Sequence, residues 1–330
     1  MLYLIALFPI IVYVLIVKAM DQFLLATWKR LGSCFAWGLS CCGILFFASR
    51  LTGLDNAPIS TFLEEFLKGL PLILAVCRKR VAFFAEALIY GTAIGAGFAF
   101  LENIMYVALV PGFSFGDAIL RGFGTAILHM GCTALYAALA ITVSRALTGK
   151  SQLVTVSTCL MTFVPSLIIH YLYNLFLLPE FIQLVLVILI MAGLLLIIYD
   201  IDGRLIHKWL DSCISNDISL LSSIREGHLR ETSAGKYLLE VRRKFHPEVF
   251  FDICAYLGLY LELSIAAKSR MILKDAGMEI ETDQAFHQEN MEKLAELKAL
   301  KKSFGMSGQM VLRPIIDEKA VDEWVMEELL

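Results

Sequence analysis

The sequence predicts an all-α polytopic membrane protein: a bundle of about seven spanning helices followed by a helical domain in water. Three observations carry that reading. The 330 residues are 58% hydrophobic and 18% charged, with a mean hydropathy of +0.72, whereas soluble domains run about 45–50% apolar and about 25% charged. The apolar residues gather into runs long enough to cross a bilayer, which takes about 20 residues. Charge is also uneven, with 11 Lys and Arg and 10 Asp and Glu up to Asp202, against 17 and 21 beyond it. Residues 1–202 are therefore expected in the membrane and residues 203–330 in water, with no basic excess to suggest nucleic acid.

The apolar runs cover residues 2–17, 34–51, 59–77, 81–110, 118–143, 153–178 and 181–199. The first has no charge ahead of it and Lys18 behind it, so it reads as a retained span, not a cleaved signal peptide. Basic residues follow the odd-numbered spans: Lys18, Lys29 and Arg30, then Arg78, Lys79 and Arg80, then Arg145 and Lys150, then Arg204 and Lys208. The intervening loops hold Asp55, Asp117 and Glu180, with Arg50 and Arg121 at span ends. The bias places the N-terminus outside and the C-terminal domain in the cytoplasm. Beyond Asp202 the period is helical, with stripes at Ile214, Ile218, Leu221 and Ile224 and at Met291, Leu294, Leu297 and Leu300. Pro247 suits a first helical turn, and Gly277 closes the helix it opens. That helix is apolar enough to resemble an eighth span, but Asp252 and Glu262 divide it, so it reads as a core helix. The 8 cysteines are scattered without a CxxC pair, which excludes a thiolate metal site or disulfide scaffold.

Polar residues recur inside the spans. The third carries Glu64, Glu65 and Lys68, whose i,i+3 and i,i+4 spacing puts all three on one helical face. Each charge deep in a bilayer costs roughly 2.5–3.5 kcal/mol even on lenient scales, so three persist only against protein or water. The fourth span carries Glu102 and Asn103, the fifth His129, and the sixth His170 and Asn174 one turn apart. Counting residues from the outer span ends places Glu64, Glu65, Glu102, His129 and His170 roughly 8–17 Å below the outer surface. Four helices presenting acids, imidazoles and amides at one level predict a hydrated polar pocket. Gly91 and Gly95, with Gly97 behind, let the fourth helix approach a neighbour closely. A carboxylate there can activate water, a second acid or His can move the proton, and His or Asn donors can hold an oxyanion. The GFSFG stretch fits GxSxG but lacks a strand–turn–helix setting, and no HExxH occurs.

The ordered set EExxK (Glu64, Glu65, Lys68), FxxxEN (Phe98, Glu102, Asn103), His129 alone, and HxxxN (His170, Asn174) resembles the PrsW family of intramembrane proteases, related to the CAAX prenyl proteases. The likeness covers residues 59–178 and, less closely, the tail. It implies a membrane-embedded endopeptidase that cuts a single-span protein in the bilayer near its outer end, an anti-sigma factor in characterised members. It implies Glu64 as the water-activating base, with Glu65, Lys68, Glu102, Asn103, His129, His170 and Asn174 completing the site. Metal-bound and metal-free water are both open for the family. If zinc is used, Glu102, His129 and His170 make a mixed set with an open position. Prenyl proteases have a His where this chain has Glu102, so their histidine roles do not transfer. Two alternatives remain at this stage, an ion- or proton-coupled transporter and a non-catalytic scaffold. The bundle shows no internal repeat of the transporter kind. The tail is expected to offer a surface to a cytoplasmic partner.

Overall fold

The computed structural model describes residues 1–21, 26–53, 57–77, 81, 84–147, 152–278, 284–316, 326 and 330. Asp55, Arg78, Lys79, Arg80 and Lys150, used above for orientation, lie outside the described residues. Helices account for all regular structure among them, in two compact units, Met1–Gly203 and Arg204–Leu330. The helices are α1 (Leu2–Ala19), α2 (Trp28–Thr52), α3 (Ala57–Cys77), α4 (Phe84–Leu109), α5 (Phe115–Ile119), α6 (Ala126–Ala146), α7 (Gln152–Met161), α8 (Val164–Asn174), α9 (Glu180–Arg225), α10 (Ser233–Arg242), α11 (Pro247–Asp275) and α12 (Gln284–Leu312).

Among the described residues seven helical stretches are long and apolar enough to cross a membrane: Leu2–Ala19, Trp28–Thr52, Phe84–Leu109, Phe115–Ser144, Leu153–Asn174, Glu180–Ile197 and Pro247–Lys274. Six match expected spans. The set omits α3, whose three charges exceed what a lipid-facing span tolerates, and includes most of α11. In α11 the apolar residues Ile253, Tyr256, Leu257, Tyr260, Leu261 and Met271 are buried. Tyr256 meets Phe304 of α12 edge-on at 5.1 Å, and Lys293 of α12 bonds Glu262 at 2.5 Å. Hydrogen bonds to Glu262 and Glu289 hold the Lys293 ammonium above its ordinary pKa. Leu294 and Leu297 are buried as their stripe requires, while Met291 and Ile218 stay exposed. The described cysteines Cys34, Cys41, Cys42, Cys132, Cys159 and Cys254 are free thiols.

Two expected spans are interrupted. The fifth starts with a capping box, Ser114 and Asp117, on α5 and passes through a π turn, Leu120–Thr125, before α6. The sixth divides into α7 and α8, because Pro165 in the first turn of α8 has no N–H to continue the ladder. In the first unit α4 is the central helix, buried along most of its length, with α1, α2 and α6 packed on it. Glycine permits that packing. A Cβ on Gly95 would lie 2.4 Å from the His129 carbonyl oxygen, and one on Gly38 of α2 would lie 2.0 Å from that of Ile94. Both backbones would have to move apart.

Candidate active site

The site begins on α3, where Pro71 interrupts the helix. Proline cannot donate to the carbonyl four residues back, so the Leu67 carbonyl loses its helical partner. The indole N–H of Trp37, on α2, donates to it at 3.0 Å. An unmet carbonyl in hydrocarbon costs several kcal/mol, so this bond ties α2 to α3 one residue before Lys68. Glu65 and Lys68 are both fully buried and paired at 2.5 Å. Glu64 is one residue round the helix, its side chain 15% exposed and accepting from Ser60 at 3.0 Å.

Close packing at Gly91 and Gly95 brings α6 against α4, and with it His129 against Glu102. Nε2 of His129 lies 3.0 Å from Oε2 of Glu102, and its Nδ1 lies 3.1 Å from Nζ of Lys68. Phe98, one turn before Glu102, covers both, its ring 4.8 Å from Nζ of Lys68 and 4.8 Å from the His129 ring. His170 on α8 stands edge-on to His129, centroids 4.8 Å apart. Its Nδ1 is 2.7 Å from Oε1 of Glu65, and its Nε2 is 3.8 Å from Oε2 of Glu64. At the other end Arg121, in the π turn, places Nη2 at 2.6 Å from Oε2 of Glu102.

With its acids and cations charged, this chain of contacts takes one polarity through His129 and Glu65. Guanidinium and ammonium groups only donate, and ionised carboxylates only accept. Glu102 therefore accepts from the Nε2–H of His129 and is ion-paired with the Arg121 guanidinium. Nδ1 of His129 accepts from Lys68, which also donates to Glu65. Glu65 accepts in turn from the Nδ1–H of His170. His170 turns its Nε2 toward Oε2 of Glu64 at 3.8 Å, too far for a direct hydrogen bond and wide enough for a water or a cation between them.

Six of the eight side chains expected from the sequence thus converge: Glu64, Glu65, Lys68, Glu102, His129 and His170. The two amides stand beside the chain. Asn174 donates to Thr61 at 3.2 Å, joining α8 to α3 one turn from His170 and one from Glu65. Asn103 donates to the Ala6 carbonyl at 2.9 Å and accepts from Nε of Arg121 at 3.0 Å. Sequence reasoning passed over Arg121 and Trp37. Their signals were a lone Arg between apolar residues and a Pro inside the charged span.

A family model matches residues 27–198, and its description is PrsW family intramembrane metalloprotease. The chain belongs to this family. The match takes in every residue of the contact chain. No curated protein and no solved structure matches the chain.

PrsW membership implies a metal, and the donor set can be tested for it. Glu64, His129 and His170 each offer a ligand atom, all within 4.8 Å of one another. One carboxylate and two imidazoles form a catalytic zinc set with a free fourth position. Glu65 on Nδ1 of His170 is the outer carboxylate that orients metal-binding imidazoles. The residues fit. His129 has both ring nitrogens engaged, so it joins only on releasing Lys68 or Glu102. The acid in this set is Glu64, where the sequence suggested Glu102. Glu102 is tied to Arg121 and His129 instead.

Proposed function

We propose that this chain is an intramembrane endopeptidase that cuts a single-span membrane protein at the outer end of its span, with Glu64 as general base. The observation that carries the reading is the approach of Oε2 of Glu64 to Nε2 of His170, 3.8 Å apart. A water between them donates to both and is held for attack. Glu64 takes one proton as the water oxygen bonds to the scissile carbonyl carbon, whose π electrons move onto oxygen. Collapse breaks the C–N bond, and Glu64 returns the proton to the leaving amine. The second N–H of Asn174, one turn beyond His170, is a donor for the oxyanion. Glu65, Lys68, Glu102 and His129 orient His170 and exclude bulk water, being buried or nearly so.

A divalent ion held by Glu64 and His170, with His129, would supply Lewis-acid polarisation of the carbonyl. Zinc suits that set, and purified protein is expected to lose its metal on substitution of His170.

The substrate must reach Glu64 extended, because a helix ties its carbonyls into i→i−4 bonds. Unwinding in hydrocarbon strands those groups, so the frayed end of the span is the easiest to present. The basic-residue pattern puts the pocket in the outer half of the bilayer and residues 203–330 in the cytoplasm, where they would bind a cytoplasmic partner or help select substrates. Family resemblance suggests an anti-sigma factor as substrate. The test is mass spectrometry of the fragments of a single-span substrate cut in liposomes. An outer juxtamembrane cut is expected, and a cut on the cytoplasmic side would refute this placement.

A further inference from the structure

We propose that Arg121 is a positioning residue of the active site, holding Glu102 so that Glu102 fixes the ring orientation and tautomer of His129. The inference rests on the protease reading above and adds to it a residue outside the EExxK, FxxxEN and histidine motifs.

The guanidinium is gripped on three sides. Nη2 meets Oε2 of Glu102 at 2.6 Å, Nε donates to Oδ1 of Asn103 at 3.0 Å, and Cζ lies 3.5 Å over the Tyr106 ring. All three partners come from α4, within five residues. Oε2 of Glu102 is also the atom that faces Nε2 of His129 at 3.0 Å. One oxygen therefore joins Arg121 to the imidazole.

The backbone is shaped to allow this. In an uninterrupted α-helix, residues eight apart point about 80° away from each other. A π turn absorbs one extra residue, which reduces the offset of Arg121 and His129 to about 20°. The π turn at Leu120–Thr125 contains Arg121 and precedes His129, so both reach the one carboxylate. The turn is itself anchored. Pro9 leaves the Ile5 carbonyl of α1 without its helical donor, and Gly122 closes on that oxygen so tightly that a Cβ would lie 2.6 Å from it. Asn103 then donates to both the Ala6 and Arg121 carbonyls, at 2.9 and 3.4 Å. An arginine serving only as an interhelical tie needs neither the shared oxygen nor the register shift.

The test compares wild type, Arg121→Gln, Arg121→Lys, Glu102→Gln and the double variant Arg121→Gln/Glu102→Gln, each full-length in liposomes with a single-span substrate. Arg121→Gln should lower kcat about 10²-fold, the upper range for an outer-sphere partner, with KM within about twofold. Arg121→Lys keeps the charge but loses the fork, and should recover about tenfold of that loss. The double variant should match Glu102→Gln, since the two act as a unit. Raised KM at unchanged kcat, or losses that multiply in the double variant, would overturn the proposal. Solid-state nitrogen NMR of histidine-labelled protein in lipid gives a readout independent of cleavage. His129 should be protonated on Nε2 in wild type and lose that single tautomer in Arg121→Gln. A tautomer shift in protein that cleaves nothing would sink the protease reading and leave Arg121 standing. An unchanged tautomer in active Arg121→Gln would do the reverse. If Arg121→Gln fails to fold, Arg121→Lys carries both readouts alone, and full kcat with an unchanged His129 spectrum there would also overturn the proposal.

Discussion

Among the described residues two lysines are buried almost completely, Lys68 on α3 and Lys268 on α11, at 0% and 2% exposure. Each is paired with an acid, Lys68 with Glu65 at 2.5 Å and Lys268 with Asp217 at 2.8 Å. By sequence the two look alike, each a cation within a long apolar helix. Their surroundings differ. Asp217 accepts from both Lys268 and Ser264, each at 2.8 Å. Lys68 instead donates to an imidazole as well as to its acid, and the chain it belongs to ends where Nε2 of His170 faces Oε2 of Glu64 at 3.8 Å. A buried ion pair is thus weak evidence of function. What marks α3 is a partly exposed carboxylate facing an imidazole of the buried chain.

The contrast can be broken most directly by removing each cation. Lys68→Met should reduce cleavage at least about 10²-fold, because Glu65 and His129 lose the donor that sets their polarity. Lys268→Met should leave cleavage within about twofold and instead destabilise the second unit by about 2–3 kcal/mol, through the uncompensated Asp217. Cleavage rates and thermal unfolding of both variants check this. The pair Lys68→Met/Glu65→Gln, which strands no charge, guards against misfolding as the cause. Equal loss of cleavage from both lysines would erase the distinction.

A smaller effect sharpens it. Trp37→Phe removes the donor to the Leu67 carbonyl and nothing from the contact chain itself. An unmet buried acceptor costs about 1–3 kcal/mol. Unfolding should show that loss, with cleavage reduced by roughly tenfold or less as α3 shifts beneath Glu65 and Lys68. Unchanged stability would mean that another donor meets the carbonyl.

The apolar runs were legible in the sequence, since they depend on local composition. The convergence of Glu64, Glu65, Lys68, Glu102, His129 and His170 followed from depth alone. The pairing within that group did not, because it depends on how each helix is rotated. Glu102 was expected beside a metal, yet a π turn that no local pattern announced turns Arg121 onto it and leaves Glu64 opposite His170. The Trp37 bond escaped for a similar reason. Pro71 announces an orphan carbonyl, but the donor comes from thirty residues away. The amides Asn103 and Asn174 looked equivalent in sequence to the ionisable groups, and the structure uses them to tie helices together.

The central claim is that Glu64, facing Nε2 of His170, activates water for peptide hydrolysis within the membrane. Its most direct test is cleavage of a single-span substrate in liposomes by purified wild type and by Glu64→Gln, which keeps the side chain's size and removes its basicity. The account predicts cleavage by wild type and a loss of at least about 10³-fold in the variant, with expression and detergent-solubilised size unchanged. Cleavage by Glu64→Gln at the wild-type rate would contradict it.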